Sequence, residues 1–434
     1  MKKIVLSLAG ALAATAFAPE ASAIPSFARQ TGMACNACHF QHFPVLNSFG
    51  MAFKSAGYTM MGAQDKVEGE HLSIPATLNA SVLVKIRYQK TNGVDTPVTV
   101  APFSGASTNS GQWQVPDEMS LFLGGRVSDN IGFVIEGNLA GNNGAAGNGG
   151  IATGFKMPFM YDVGGAKVGV VPFWTDVLGM AHGFELTSSS MVRGLRWAED
   201  RSRISAASFI GMNSGATIGA AFVAKNDFGY INWTRYSPRA AGAAGLAAPG
   251  AGSAIQLKTN WLRLAATPNY ADWNMHIGLG LASGQALTVA GAQQDRKATL
   301  LDFQGQTQLG GKDFSLYASY ARAPGTAAGA VVANAFNANP NAKRAYQIGA
   351  DYSVIPHVLH IGASYLNGDS GAATFNKDNG YMIQAIYDLQ QNVAFHASYT
   401  KSSGSIYNVG GAKDKTVAGN TGDSLLNLML EASF

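Results

Sequence analysis

From about residue 70 onward, apolar residues recur at every second position. Leu78, Ala80, Val82, Val84 and Ile86 share one face of such a run. Leu121, Leu123 and Gly125 oppose Phe122 and Gly124, and Ile131, Phe133 and Ile135 follow. Later runs are Ile218, Ala220 and Phe222; Tyr346, Ile348, Ala350 and Tyr352; Tyr381, Ile383, Ala385 and Tyr387; and Val393, Phe395, Ala397 and Tyr399. A period of two is the signature of a strand with two unlike faces. The intervening positions are small or polar, such as Gln347, Gly349 and Asp351, or His396 and Ser398. Alternating segments of about ten residues separated by turn-rich stretches predict an outer-membrane antiparallel β-barrel, with the polar positions lining the lumen. Sixteen or seventeen candidate strands are countable, and closed single-chain bacterial barrels have even numbers, so sixteen is expected.

The connections differ in length. Long stretches near 90–112, 139–152, 238–255, 323–343 and 368–379 alternate with tight links at Asp129 to Asn130, Asn226 to Phe228 and Leu389 to Asn392. Short periplasmic turns and long outer loops are the expected division. The chain ends Leu426-Asn427-Leu428-Met429-Leu430-Glu431-Ala432-Ser433-Phe434, with an apolar even face and a terminal aromatic. Such an edge, with little charge and no proline, needs a partner strand. Closure on the first strand supplies one.

The first residues read differently. Lys2 and Lys3 precede the apolar run Ile4 to Phe17, and Ala21-Ser22-Ala23 forms a small-x-small site. Residues 1–23 are therefore expected to be a secretory signal peptide. No later stretch holds 18 uninterrupted apolar residues, so no transmembrane helix is expected. Residues 24–66 form a separate segment and 67–434 the barrel. Within that segment Leu46, Phe49 and Phe53 lie three and four apart, predicting a short helix after Pro44 that stops at Gly57.

Composition supports lipid as the solvent. Charged residues make up only 13% of the chain, and 52 glycines and 10% aromatics accompany them. A soluble surface of this size carries about twice that charge. The formal net charge of +4 gives no basic footprint for nucleic acid.

The only two cysteines fall in Cys35-Asn36-Ala37-Cys38-His39. This is the c-type haem attachment spacing, in which two thiols form thioethers and the histidine becomes an axial ligand. One covalently attached haem c is expected. A redox dithiol would sit where a strand enters a helix, and a zinc site would need histidines to complete four ligands. The sixth iron ligand is open. Met60 and Met61 offer sulfur, which raises haem potential, while His71 and His42 offer nitrogen. His42 follows His39 by three residues, so in a helix both point the same way. Both methionines also read as soft packing around the macrocycle. Arg29 and Lys54 flank the segment as candidate partners for propionates. His182, His276, His357, His360 and His396 read first as lumen lining, with an iron-binding cluster as the alternative. Asp162 and Glu185 are weaker candidates for meeting a cation. A segment this short does not bury a haem alone, so the barrel wall is expected to cover it as a lumenal plug.

Residues 24–62 resemble the fused monohaem cytochrome–porins of the outer membrane of iron-oxidising bacteria. The likeness rests on Pro25-Ser26-Phe27-Ala28-Arg29-Gln30-Thr31-Gly32, the Cys35/Cys38/His39 motif, Phe43-Pro44-x-Leu46-x-x-Phe49-Gly50, Phe53-Lys54 and Gly57-Tyr58. Gly169-Val170-Val171-Pro172-Phe173 and Gly183-Phe184-Glu185 look like the same family's early barrel region. The remainder matches only in length, strand pattern and terminal Phe434. The resemblance implies an extracellular Fe(II) oxidase of the outer membrane that hands electrons to a periplasmic c-type cytochrome or other soluble carrier. The same architecture occurs in bacteria not known to oxidise iron, so it implies the build more firmly than the donor.

Overall fold

The computed structural model describes residues 25–62, 64–93, 111–141, 152–176, 178–189, 191–192, 205–212, 215–238, 256–287, 292–407 and 422–434. The signal segment expected at 1–23 lies outside these residues, as does most of the expected loops 90–112, 139–152 and 238–255.

Three short helices come first: α1 (Pro25–Thr31), α2 (Cys35–Cys38) and α3 (Ser48–Ser55). An exposed two-stranded hairpin, Lys66–Gly69 with Leu72–Pro75, follows. The wall then runs through β1 (Ala80–Thr91), β2 (Gln112–Ser128), β3 (Ile131–Gly141), β4 in two pieces (Ala152–Lys156 and Phe159–Val163), β5 (Ala166–Thr175), β6 (Thr217–Asn226), β7 (Gly229–Ser237) and β8 (Thr259–Ala266). It continues through β9 (Trp273–Leu287), β10 (Ala298–Leu309), β11 (Lys312–Ala323), β12 (Lys343–Ile355), β13 (Leu359–Asp369), β14 (Lys377–Gln390), β15 (Val393–Ser403) and β16 (Ser424–Ser433). Each strand pairs antiparallel with the next, and β16 returns to β1 with Leu428 opposite Tyr88 and Leu430 opposite Ile86. The sixteen-stranded sheet is closed, so the last strand has no free edge.

The wall is apolar outside and polar inside. On β12, Tyr346 and Ile348 are 49% and 50% exposed, whereas Gln347 and Asp351 are 2% and 1% exposed. A soluble sandwich would bury the first pair and solvate the second. The same inversion holds on β14, where Tyr381 and Ile383 face out and Met382 and Gln384 face in. This is the construction of a barrel that spans the outer membrane.

The two rims differ as expected. Turns such as Asp129-Asn130, Asp227-Phe228, Gly310-Gly311 and 356–358 close one end, and the long connections lie at the other. Gly310 and Gly311 both have positive φ (61° and 73°), which a two-residue hairpin loop of matching twist requires. By the usual division the short-turn end faces the periplasm, and the plug helices and Phe434 are at that end.

One long connection was not foreseen. The described part of the β5–β6 link, 178–189, 191–192 and 205–212, folds into the lumen. Leu186, Met191, Ala206 and Ile210 in it are at most 1% exposed. Its helix α4 (Ala206–Ile210) docks on the inner wall, where the backbone amide of Ala206 donates to Ser319 Oγ at 3.0 Å. Met180, Met191, Ile210 and Met212 pack with Tyr236, Trp261, Tyr317 and Met382 of the wall and with Val45 of the plug. The N-terminal segment sits in the mouth of the lumen as a helical plug, with Val45 packed into the core it shares with this link. It caps the short-turn end beneath a link that fills the space above.

Candidate functional site

The plug is tied to opposite sides of the mouth. On α1, Gln30 is fully buried; its amide donates to the carbonyls of Tyr58 (2.7 Å) and Met60 (2.8 Å) and accepts from the Arg126 backbone amide (3.2 Å). Ser26 meets Ser81 of β1 at 2.7 Å. Phe27 stacks on Tyr58 and packs edge-on against Phe53, with centroids 5.0 and 5.2 Å away. Further along, Gln41 donates to the carbonyls of Asp313 on β11 and Asp351 on β12, both at 3.0 Å. The segment is a strap across the mouth.

Between these anchors lies the cysteine motif. Helix α2 is a single turn holding Cys35 and Cys38, and His39 is its C-cap. Asn47 clamps α2 to α3: its oxygen accepts from the Gly50 amide (2.9 Å), capping α3, while its Nδ2 donates to the Ala37 carbonyl (3.0 Å). Helix α3 thus begins at Ser48, leaving Leu46 outside it in a bridge with His39. A Cβ on Gly50 would sit 2.2 Å from the Cys38 carbonyl oxygen, so only glycine permits this contact.

The His39 Nδ1 lies 3.2 Å from the Val45 carbonyl. A carbonyl only accepts, so Nδ1 carries the proton and the Nε2 lone pair remains available. Burial pushes the His39 pKa down to about 4, and the ring is neutral at physiological pH. Burial also pushes Cys35 up to about 12 and raises Cys38. Redox dithiols instead hold a depressed pKa. Among the described residues no group of three or more His, Cys, Asp or Glu is arranged to hold a metal ion.

A cavity of about 510 Å³ opens beside His39 at the short-turn rim. Asn36, His39 and Phe49 line its plug side, and Gln308, Asp313 and His357 its wall side. Its size falls in the range of cofactor sites. Cys35 and Cys38 themselves do not line it. Two uncharged thiols on one helical turn, followed directly by an imidazole protonated at Nδ1, form a donor set that fits a c-type haem.

Other residues singled out from the sequence lie apart. Met60, Met61 and His71 do not line this cavity. Met60 is held by its carbonyl on the α1 side, and the His71 side chain is 92% exposed beside Glu70. His42 is engaged at both nitrogens, with Phe43 O at 2.9 Å and Asp351 Oδ2 at 3.2 Å. Burial pulls its pKa down, but the bond and charge of Asp351 outweigh this and the net shift is upward. Arg29 donates to the Ala80 carbonyl. Lys54 is buried near enough to His39 to help lower its pKa. Asp162 pairs with Lys167 at the rim (2.7 Å).

Glu185 is fully buried in the inward link. It accepts from Arg263 Nε (3.0 Å) and Tyr230 OH (2.7 Å), and Arg263 also binds Asp302 (2.9 Å). Burial pushes its carboxyl up, but the charges of Arg263 and His276 and the Tyr230 hydroxyl overcome this and hold it at about 2. It pins the link to the wall and is closed to an incoming cation. Sequence reasoning also missed Asn47 and Gln41, whose partners lie outside any local pattern.

The fold and mouth define a class: an outer-membrane β-barrel whose short-turn end is strapped by its own N-terminal segment. Neither a family model nor a curated protein sequence matches the chain. Among solved structures, a loop-deletion mutant of OmpT, an outer membrane protein of Vibrio cholerae, is 11% identical with a TM-score of 0.47, covering 82% of this chain and 99% of that one. The outer membrane channel DcaP of Acinetobacter baumannii is 11% identical with a TM-score of 0.46, covering 82% and 97%. A BenF-like porin from Pseudomonas fluorescens is 14% identical with a TM-score of 0.39, covering 83% and 99%. The barrel itself rests on the strand pairings of this chain.

Proposed function

We propose that this protein is an outer-membrane electron-transfer protein that takes electrons from extracellular Fe(II) and delivers them to a soluble periplasmic carrier. One haem c, attached at Cys35 and Cys38 and ligated by His39, supplies the one-electron chemistry. The observation that carries this reading is the folded motif itself: Cys35 and Cys38 on one turn with His39 as its C-cap, at the short-turn mouth of the barrel. A soluble carrier reaches that rim from the periplasm without entering the barrel. Asn47 and Gly50 hold the two cysteines in register with His39, and Phe49 gives the cavity an apolar side. The N-terminal resemblance to cytochrome–porins of iron oxidisers supports Fe(II) as donor; another extracellular donor or acceptor is the runner-up.

The position of the mouth changes the expected path. A haem midway along the lumen would divide the membrane into two similar legs. From Ser315, which Gln41 touches, to the far end of β11 is roughly 27 Å along the strand at about 3.4 Å per residue. With a strand tilt of about 40° this is roughly 20 Å along the membrane normal. The outer leg is the longer one and is expected to limit the rate.

The test reconstitutes the haem-loaded protein in sealed vesicles enclosing an oxidised soluble cytochrome, with Fe(II) added outside without oxygen. The reading expects reduction of the enclosed cytochrome that is lost in Cys35→Ala/Cys38→Ala. Reduction only by another impermeant donor replaces iron but keeps the conduit. High ion conductance with no electron transfer favours a porin with a structural haem.

A further inference from the structure

We propose that a groove beside the cysteine–histidine motif is the docking site of the soluble carrier, and that it selects a carrier with a cationic face. This rests on the haem reading above. Two cavities at the short-turn rim, of about 510 and 800 Å³, share Phe40, Asn274, Gln308 and Gly311, so they form one continuous groove. It runs from the turn after β12, past the plug, to the turn between β8 and β9. Asn36 and His39, both from the motif, line its plug side. A protein seated there touches the motif itself.

The groove carries two carboxylates, Asp272 and Asp313, and its lining contains no lysine or arginine. Asp272 is exposed and makes no hydrogen bond or ion pair among the described residues. Asp313 accepts from Gln308 Nε2 at 3.0 Å, and among the described residues no cation pairs with it. The neighbouring Lys312 is turned to the Val354 carbonyl at 2.6 Å. Three other carboxylates at this end have their own cations: Asp129 pairs with Arg126, Asp162 with Lys167 and Glu68 with Lys66. The groove therefore presents uncompensated negative charge beside the motif. Phe49 and Tyr270, 39% and 76% exposed, add apolar contact. Apolar contact flanked by charge of one sign is the build of a docking face, in which the charge steers encounter and rejects partners of like sign. Electron-transfer encounters are also small, below about 1,200 Å² in all, which suits one side of a barrel mouth. On docking, one electron passes from the ferrous haem to the oxidised centre of the carrier, and no proton or atom moves.

The experiment mixes pre-reduced, haem-loaded protein with an oxidised soluble cytochrome c of lysine-rich face, and separately with one of acidic face, at several salt concentrations. Wild type is compared with Asp272→Asn/Asp313→Asn, Asp272→Lys/Asp313→Lys and, on the same rim outside the groove, Asp162→Asn. Haem staining and unheated gels first establish loading and folding. Absence of haem in wild type would overturn the haem reading and this proposal with it. With haem attached, wild type is expected to reduce the lysine-faced carrier at a rate that falls as salt rises. The double asparagine variant is expected to lose about tenfold at low salt, with a flatter salt dependence. Asp162→Asn should match wild type, and the double lysine variant should prefer the acidic carrier. In wild type, a carbodiimide that joins carboxylates to amines should link the lysine-faced carrier to Asp272 or Asp313, a readout that needs no variant to fold. Equal rates in wild type and the double asparagine variant, cross-links only to carboxylates outside the groove, or a dimer that the double asparagine variant splits into monomers would overturn the docking assignment while leaving the haem reading intact.

Discussion

The His39 Nδ1 is 3.2 Å from the carbonyl oxygen of Val45, a residue with no solvent exposure. Six residues of chain thus fix both the tautomer and the direction of the ring. Val45 also belongs to the core shared with the inward link. The ring that faces the cavity is consequently oriented by the packing of the barrel interior.

Removing both thiols should abolish covalent haem without unfolding the wall. Cys35 and Cys38 lie in α2, outside the strands of the closed sheet, so Cys35→Ala/Cys38→Ala is expected to migrate as a folded barrel on unheated gels. Haem staining after denaturation should fall to background. Haem that survives denaturation in this variant would exclude thioether attachment.

Gly50→Val tests the α2–α3 clamp. Its side chain would begin 2.2 Å from the Cys38 carbonyl, and that backbone atom has no rotamer to yield. The expected outcome is a severalfold loss of attached haem at unchanged barrel yield. Haem content equal to wild type would show that the clamp is dispensable.

Arg263→Met leaves Glu185 and Asp302 buried without their shared cation. Breaking a buried pair by removing one partner costs about 3–5 kcal/mol. Urea unfolding in lipid vesicles should show a loss of that order, partly recovered by adding Glu185→Gln. A change within error would mean that water already reaches these carboxylates.

The same carboxylate sets an acid limit. Its folded pKa is depressed from 4.5 to about 2, so the unfolded state binds the proton more readily. Its contribution is complete above 4.5 and disappears as pH falls from there through about 2. Proteolysis of the inward link after pH titration should accelerate across that window, and Glu185→Gln should flatten the change.

Ile348→Arg tests the lipid face. Ile348 is half exposed near the middle of β12, where a cation in the bilayer costs about 2–4 kcal/mol. Folding into vesicles should weaken by that amount. An unchanged folding free energy would place this face against protein or water.

Much of this was legible from local order. Alternation at Tyr346, Ile348 and Ala350 gave the outward face because side chains of a strand change sides at every residue. The even apolar positions from Leu426 to Ala432 foretold a closing strand, and β16 does pair with β1. The cysteine spacing was equally local: three positions put both thiols on one helical turn. What local order did not reveal was the β5–β6 link, whose residues alternate with neither period and are buried only because a closed wall surrounds them. Glu185 looked available for a cation because Arg263, Tyr230 and Asp302 lie 45 or more positions away in the chain. The sequence by itself determined the closed barrel, its lipid face and the cysteine–histidine motif, since each depends on neighbours within one turn or one strand. Tertiary structure decided that the motif caps the periplasmic mouth, that the lumen above is packed, and that His357 shares the His39 cavity, because closing the sheet brings residues more than 300 positions apart to one rim.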